Sequence, residues 1–352
     1  MANAKTIGVG LAGFGLAGRY FHAPFIGAAG LDLRAVVTSR ANDVHTSLPQ
    51  AEVFGSFDAL LEHKDIALIV IATPNALHYQ QACAALEAGK HLVIDKPATP
   101  TASEARELAK LAASRGLVAA AYHNRRWDSD YLTMKRLCAD GVIGTPLRYT
   151  TSWNRHSLQP RDVWRQRPGP ASGVLYDLGP HLIDQALQLF GRPEWIFASL
   201  YRHRDGARSA DPDDGFLLHM GHQRLSITLE ACVGASGPVR TVQLDGTKAS
   251  FLKAGGDVQG LQIMRDHLTP DAPGFGEEER TQWGTLWRPD GSSEIIASER
   301  GCGVEFYRAM ARAIEGGTPS PVPLDDAADV IEIIEYTLES ARTGQRIALP
   351  AQ

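Results

Sequence analysis

Asp177 and His181 stand four residues apart in the stretch Tyr176-Asp177-Leu178-Gly179-Pro180-His181-Leu182-Ile183-Asp184. At the start of a helix that spacing puts both side chains on one face. Histidine trades protons near neutral pH, which suits general acid–base work, and a nearby carboxylate would orient its ring. The same pair reads equally well as a helix-capping aspartate and a buried, hydrogen-bonded histidine. Asp184 reads as structural, a polar-face residue or a partner for a neighbour. A third candidate, Lys96, sits in Asp95-Lys96-Pro97, which stops the strand read at 91–94. An ammonium at the end of a buried strand can reach a crevice, where loss of water readies it for proton transfer. On position alone, a surface lysine fits that place as well.

Gly13-Phe14-Gly15-Leu16-Ala17-Gly18 fits the pattern G-x-G-x-x-G between an apolar strand and a helix. Gly13 would permit the tight turn, Gly15 the approach of a pyrophosphate to the backbone, and Gly18 close packing of helix on strand. The phosphates would then rest on N–H groups at the helix start. A glycine-rich turn used only for packing is the plainer alternative. Pro24 is expected to kink or shorten that first helix. The second strand ends in Thr38-Ser39-Arg40, where an acidic residue would bind the ribose 2′-hydroxyl of NAD. Ser39 and Arg40 suit a 2′-phosphate instead, the guanidinium offering a two-pronged contact. The expected cofactor is therefore NADP, with NAD the other option and a solvated loop arginine the competing account of Arg40.

These residues need a scaffold, and the first third of the chain supplies one. Strand-like runs at 6–12, 33–37, 66–72, 91–94 and 117–122 alternate with helical patterns, among them 77–87 and 101–115, the latter with Ser103 as its cap. Such alternation predicts a parallel sheet covered on both faces and, with right-handed crossovers, a doubly wound Rossmann arrangement. Ligands of such sheets bind beyond the carboxyl ends of the strands, where Thr73-Pro74-Asn75, Asp95-Lys96-Pro97 and His123-Asn124 all fall. Past about residue 124 the pattern changes. Helices are expected at 129–140, 179–190, 303–315 and 325–342. Strands are expected at 146–153, 195–201, 215–220, 225–232, 239–244 and 247–252, and residues 255–291 read as a long irregular excursion. Strands in succession predict a mostly antiparallel sheet. The expected fold is thus α/β, with a Rossmann domain over 1–123 and an α+β domain over 124–352.

Composition narrows the function. The 352 residues carry a net charge of −5, so no basic surplus draws the chain to nucleic acid or anionic lipid. The four cysteines, Cys83, Cys138, Cys232 and Cys302, lie far apart, which gives no metal-ligand or redox spacing and points to reduced thiols. No apolar stretch approaches the roughly 20 residues of a membrane span, and no secretory signal is visible. A cytoplasmic protein with a small-molecule partner, and no metal, is expected.

Taken together, these residues resemble the glucose-fructose oxidoreductase / inositol dehydrogenase family (Gfo/Idh/MocA) over nearly the whole chain. The resemblance is carried by Gly13–Gly18 with His22-Ala23-Pro24, by Asp95-Lys96-Pro97, by Asn124-Arg125-Arg126-Trp127-Asp128, by the stretch 176–184, and by Pro321-Val322-Pro323 before the last helix. The Asp-Lys-Pro form, where many members have Glu-Lys-Pro, is most similar to the NADP-linked scyllo-inositol dehydrogenase-like branch. The resemblance implies that Lys96, Asp177 and His181 form the catalytic group. It also implies cofactor contacts from the fingerprint and from Thr73, Pro74, Asn75, His78, Asp95, Asn124, Trp164 and Arg165. It implies that the second domain's open sheet mediates a homodimer or homotetramer. One departure is Gln259-Gly260, where relatives often carry Gln-Glu; as part of a second-domain loop it bears on substrate or assembly.

The mechanism so implied is hydride transfer between a nicotinamide and the carbinol carbon of a sugar or cyclic polyol. His181 exchanges the hydroxyl proton, Lys96 stabilises the oxyanion, and Asp177 orients His181 or grips a neighbouring hydroxyl. Trp153 and Arg155 would shape the sugar pocket, with sheet packing and surface charge as their alternative. Two rival functions are a dinucleotide-sensing regulator without turnover and a glycosidase that uses NAD for transient oxidation.

Overall fold

The computed structural model describes residues 6–350, which fold into two compact units. The first comprises the chain up to Asn124 with Gln259–Phe275 and Gly303–Asp329; the second comprises Arg125–Val258, Gly276–Cys302 and the chain from Val330 onward.

The first unit is built on β1 (Gly8–Ala12), β2 (Asp32–Val37), β3 (Glu52–Phe54), β4 (Leu68–Ile71), β5 (His91–Ile94) and β6 (Ala119–Ala121). All pair in parallel, in the order β3-β2-β1-β4-β5-β6. This is the doubly wound order, and its direction reverses between β1 and β4. β1 and β4 are buried at every residue, as strands covered on both faces must be. The intervening helices are α1 (Ala23–Ala28), α2 (Ala41–Ser47), α3 (Phe57–Glu62), α4 (His78–Glu87) and α5 (Ala102–Ser114). Three of these elements, β3, α2 and α3, are too short to show a clear period in sequence.

Pro24 stands where the helix after β1 changes type, and the α-helical part is short, as expected. The chain runs Ala17–His22 as a π-helix, and Pro24 falls in the first turn of α1, where a missing N–H is tolerated. The cap of α5 is Thr101, not Ser103. Thr101 Oγ1 accepts from Glu104 N at 3.3 Å while Glu104 Oε2 accepts from Thr101 N at 3.0 Å, a reciprocal box that Ser103, two residues later and already inside the helix, cannot form. Ser103 donates to Glu107 Oε1 instead. The Pro321-Val322-Pro323 stretch covers the sheet edge, with Ala121 N donating to Val322 O at 3.1 Å. Gln259 is not in a loop: it opens the helix Gln259–Met264 of the first unit, is buried, and accepts from Gly303 N at 2.8 Å. A side chain at Gly260 would press on Phe21 at 3.2 Å, which accounts for the glycine.

The second unit adds α6 (Ser129–Ala139), β7 (Pro146–Asn154), α7 (Val174–Phe190), β8 (Trp195–Tyr201), β9 (Gly215–Gly221), β10 (Ser226–Cys232), β11 (Arg240–Gly246), β12 (Ser250–Ala254), β13 (Gly284–Trp287), β14 (Ser293–Ile296) and β15 (Ile347–Ala348). These strands form one sheet in the order β14-β13-β12-β11-β7-β10-β9-β8-β15, antiparallel throughout except for β7 against β10. Burial alternates along β10, the mark of a sheet with one covered face. That face, including Phe216, Leu218, Leu229 and Val242, packs on Leu182 and Ile183 of α7 and on Ile333 and Ile334 of the helix Leu324–Thr343. On the other face the register aligns Phe197, His219, Thr228, Thr150, Gln243 and Leu252 in a row across six strands. The expected irregular stretch 255–291 contains the helix Gln259–Met264 and β13, whose four residues are lost to sequence reading among glycine, proline and charge. Among the described residues no helix is long and apolar enough to cross a membrane.

Candidate active site

The loops after β1, β2, β4, β5 and β6 gather the first unit's candidates at the carboxyl ends of its strands, on either side of the reversal in strand order. The three fingerprint glycines serve three different needs. Gly13 has φ +100, and a Cβ there would lie 2.4 Å from Ala72 O; its N–H donates to Val37 O at 2.9 Å. A Cβ on Gly18 would lie 2.1 Å from Gly13 O. At Gly15 no described atom beyond its own chain neighbours lies within 4 Å of where a Cβ would sit, so this is the place left open for a ligand to meet the backbone. Phe14 is buried, Leu16 is exposed, and Ala17 begins the π-helix. These residues fit the pyrophosphate of a dinucleotide. After β2, Thr38 Oγ1 accepts from Arg40 N at 3.0 Å, and Ser39 and Arg40 are exposed with no acidic side chain between them.

After β4, Thr73 Oγ1 donates to Gln81 Oε1 at 2.6 Å, Pro74 leads into the turn Asn75–Leu77, and Asn75 is buried. His78 is buried too. Its Nε2 lies 2.9 Å from Thr73 O and its Nδ1 2.9 Å from Pro97 O, so it sews the loop after β4 to the loop after β5. Burial pushes its pKa down, and the neutral ring, with one N–H, donates to one of the two carbonyls and packs against the other. Asp95 Oδ1 accepts from Lys96 N at 2.8 Å, and Lys96 is partly buried. Asn124, partly buried, opens the 3-10 turn Asn124–Trp127.

In the second unit Asp177 and His181 both lie on α7, which begins at Val174 rather than at 179. Asp177 is in its first turn. The early start has a non-local cause: Asp213 Oδ2 accepts from Leu175 N at 2.7 Å, and Asp213 O accepts from Val174 N at 3.0 Å. Gly173 at the N-cap has φ +93, and a Cβ there would lie 2.2 Å from Asp213 Oδ1. Asp213 was invisible as a site residue in sequence, since nothing local marks a cap 38 residues away.

Asp177 is clamped by two arginines. Arg165 Nε lies 3.4 Å from Oδ1 and Arg155 Nη2 3.5 Å from Oδ2, both guanidiniums about 40% exposed. Arg165 also lies over the ring of Trp164, 4.4 Å from its centroid. His181 is buried, with its ring 5.4 Å from that of Trp153. Trp153 in turn has the guanidiniums of Arg125 and Arg240 each 5.1 Å from its ring centroid. Arg240 is held by Asp130 Oδ2 at 2.6 Å and by Gln185, and Arg125 by Asp128 at 3.1 Å. Sequence reading found Trp153, named Arg125 only as part of a motif, and missed Arg240. Asp184 is structural, taking both prongs of Arg126 at 2.6 and 3.0 Å.

Two family models match the chain. One, the NAD-binding Rossmann fold of an oxidoreductase family (GFO_IDH_MocA), matches residues 7–123; the other, the C-terminal alpha/beta domain of that family, matches 135–349. The chain is similar to the scyllo-inositol 2-dehydrogenase (NADP(+)) IolW of Bacillus subtilis (strain 168), with 35% identity over 98% of this chain and 96% of that one. It is 40% identical to the oxidoreductase YdgJ of Escherichia coli (strain K12), over 96% of this chain and 97% of that one. Among solved structures, the oxidoreductase yvaA of Bacillus subtilis superposes with a TM-score of 0.94 at 34% identity, covering 99% of this chain and 100% of that one.

Proposed function

Since the chain belongs to the Gfo/Idh/MocA oxidoreductase family and carries its NAD-binding Rossmann fold, we propose that it transfers a hydride between NADP and a hydroxyl-bearing carbon of a sugar or cyclic polyol of the inositol kind. The observation that carries this reading is a Gly15 left open to a pyrophosphate at the carboxyl end of β1, and it is supported by Lys96 after β5 in the first unit and by the Asp177 and His181 pair on α7 of the second. A sensor without turnover needs no such acid–base residues. The substrate class is supported by the relative named as a scyllo-inositol dehydrogenase.

A dinucleotide held by the Gly13–Gly18 turn would supply or accept the hydride. His181 takes the hydroxyl proton, or returns it in the reverse direction. Lys96 donates a charge-assisted hydrogen bond to the substrate oxygen as negative charge develops there. Asp177, with Arg155 and Arg165 fixing its carboxylate, grips a neighbouring hydroxyl or orients His181. Trp153 and Arg155 shape the sugar pocket. Thr73, Pro74, Asn75, Asp95, Asn124, Trp164 and Arg165 are assigned to the dinucleotide, and His78 acts on it through the two loops that it braces. The preference for NADP is supported by exposed Ser39 and Arg40 with no acid beside them. In the division read from sequence, residues 1–123 hold the dinucleotide and 124–352 contribute substrate contacts and, through the open sheet face, a homodimer or homotetramer; light scattering tests the latter, and a monomer at working concentration would refute it.

The enzymatic reading is tested by following nicotinamide absorbance with NADP and NAD against a panel of inositols, aldoses and deoxy-keto sugars. Turnover with at least one cyclic polyol or sugar is expected. Silence across the panel in both directions, with dinucleotide binding intact, would overturn it.

A further inference from the structure

Behind the loop after β5 lies a buried group that this reaction leaves without a role. His22, the last residue of the π-helix Ala17–His22, is fully buried, as is Tyr307 on the helix Val304–Ile314. His22 Nδ1 lies 2.6 Å from the Tyr307 hydroxyl. Among the described residues, Nε2 finds no hydrogen-bond partner; it lies 4.0 Å from Asp95 Oδ1, the oxygen that also accepts from Lys96 N. The ring of Tyr122 packs on the imidazole with centroids 4.1 Å apart. Turns of π-helix recur at functional sites, and this one places its last side chain toward the Asp95 carboxylate.

Counting protons fixes the direction of these contacts. Burial pushes His22 down to about 4, partly offset by Asp95, and pushes Tyr307 well above its usual range. Both are neutral at physiological pH, so the imidazole carries one N–H. With that proton on Nδ1, Nε2 would turn a lone pair toward the carboxylate, and the Tyr307 proton would lose its acceptor. With the proton on Nε2, Tyr307 donates to Nδ1 and the Nε2–H faces Asp95. Only the second arrangement sets every dipole in the attractive sense.

We propose that Tyr307 and His22 form a buried donor relay ending on Asp95, which positions the Asp95 carboxylate and the Lys96 main chain for the dinucleotide. Both are positioning residues. The 4.0 Å span exceeds a hydrogen bond, so in this structure the relay acts on the Asp95 carboxylate through the aligned N–H dipole. The inference rests on the reading of Asp95-Lys96 as a ligand-facing strand end.

The test is a double-mutant cycle read by fluorescence titration with NADP and by kcat, with Tm as a check on folding. Tyr307→Phe, which keeps the ring and removes only the donor, should weaken the NADP Kd and lower kcat, each by about fivefold to tenfold. His22→Leu should do the same, whereas His22→Gln, which retains a donor near the Nε2 position, should stay within about threefold of wild type. In an Asp95→Asn background, Tyr307→Phe should cost nothing further. A Tyr307→Phe enzyme with unchanged Kd and kcat, or an equal cost in both backgrounds, overturns the relay. If Asp95→Asn and Lys96→Ala themselves leave both quantities unchanged, the reading of the strand end fails first and takes the relay with it.

Discussion

Asp213 accepts the N–H of Leu175 at 2.7 Å and thereby caps, from 38 residues downstream, the helix that carries Asp177 and His181. Losing that acceptor frays the turn in which Asp177 stands. Asp213→Ala should lower Tm by a few degrees, in line with a lost cap of about 1–2 kcal/mol, and should lower kcat several-fold. Asp213→Asn, which keeps an acceptor oxygen, should retain most of both. Calorimetry and steady-state kinetics on the two variants check this, and equal losses in both would count against it.

Lys96→Ala and His181→Ala should each reduce kcat by about a hundredfold or more, the usual contribution of a positioned proton-transfer group. Dinucleotide affinity should change little in His181→Ala. Undiminished turnover in both variants would remove the proposed assignment.

Arg40→Ala should raise KM for NADP by about tenfold and leave KM for NAD nearly unchanged, since only the former carries the phosphate that a guanidinium can grip. Parallel initial-rate measurements with the two cofactors decide it. A variant with both constants unmoved would show that Arg40 merely faces solvent.

Acid should act on the fold through His22. Its folded pKa lies near 4, below the 6.5 of an exposed imidazole, so the unfolded chain binds the extra proton first. Stability from this group is present above about pH 6.5 and falls by up to about 3 kcal/mol as pH drops toward 4. Asp213, pushed up to about 6 by burial, has the opposite slope: its contribution is lost as pH rises through 6. The clean measurement is therefore a difference. The Tm of His22→Gln relative to wild type should shift in the variant's favour between pH 7 and pH 4.5, and parallel curves would refute the assignment.

The buried parallel strands were legible because double-sided burial writes itself as an apolar run: β4 lies inside the unbroken run 66–72, and the strand expected at 91–94 emerges residue for residue as β5. The strand 195–201 was equally legible, through its aromatic and β-branched content and the turn residues before it. The residues proposed to carry chemistry were picked out by type and by place, after a strand for Lys96 and on a helix face for Asp177 and His181. Their supports were not. Tyr307 is 285 positions from His22, and Arg240 reaches Trp153 from a different strand, so no local period marks either. The beginning of α7 was missed for the same reason, because its cap comes from far along the chain. β13 and β14 were missed because four residues carry too little alternation to stand out.

The fingerprint glycines separate two properties that mutagenesis usually entangles. A methyl group at Gly13 or Gly18 strikes main-chain oxygen and would be rejected during folding, before any ligand arrives. At Gly15 the same methyl group meets empty space, so Gly15→Ala should yield a protein with native thermal behaviour that has simply lost its hold on phosphate. That one position offers a folded, cofactor-blind counterpart against which every effect of dinucleotide on this chain can be measured.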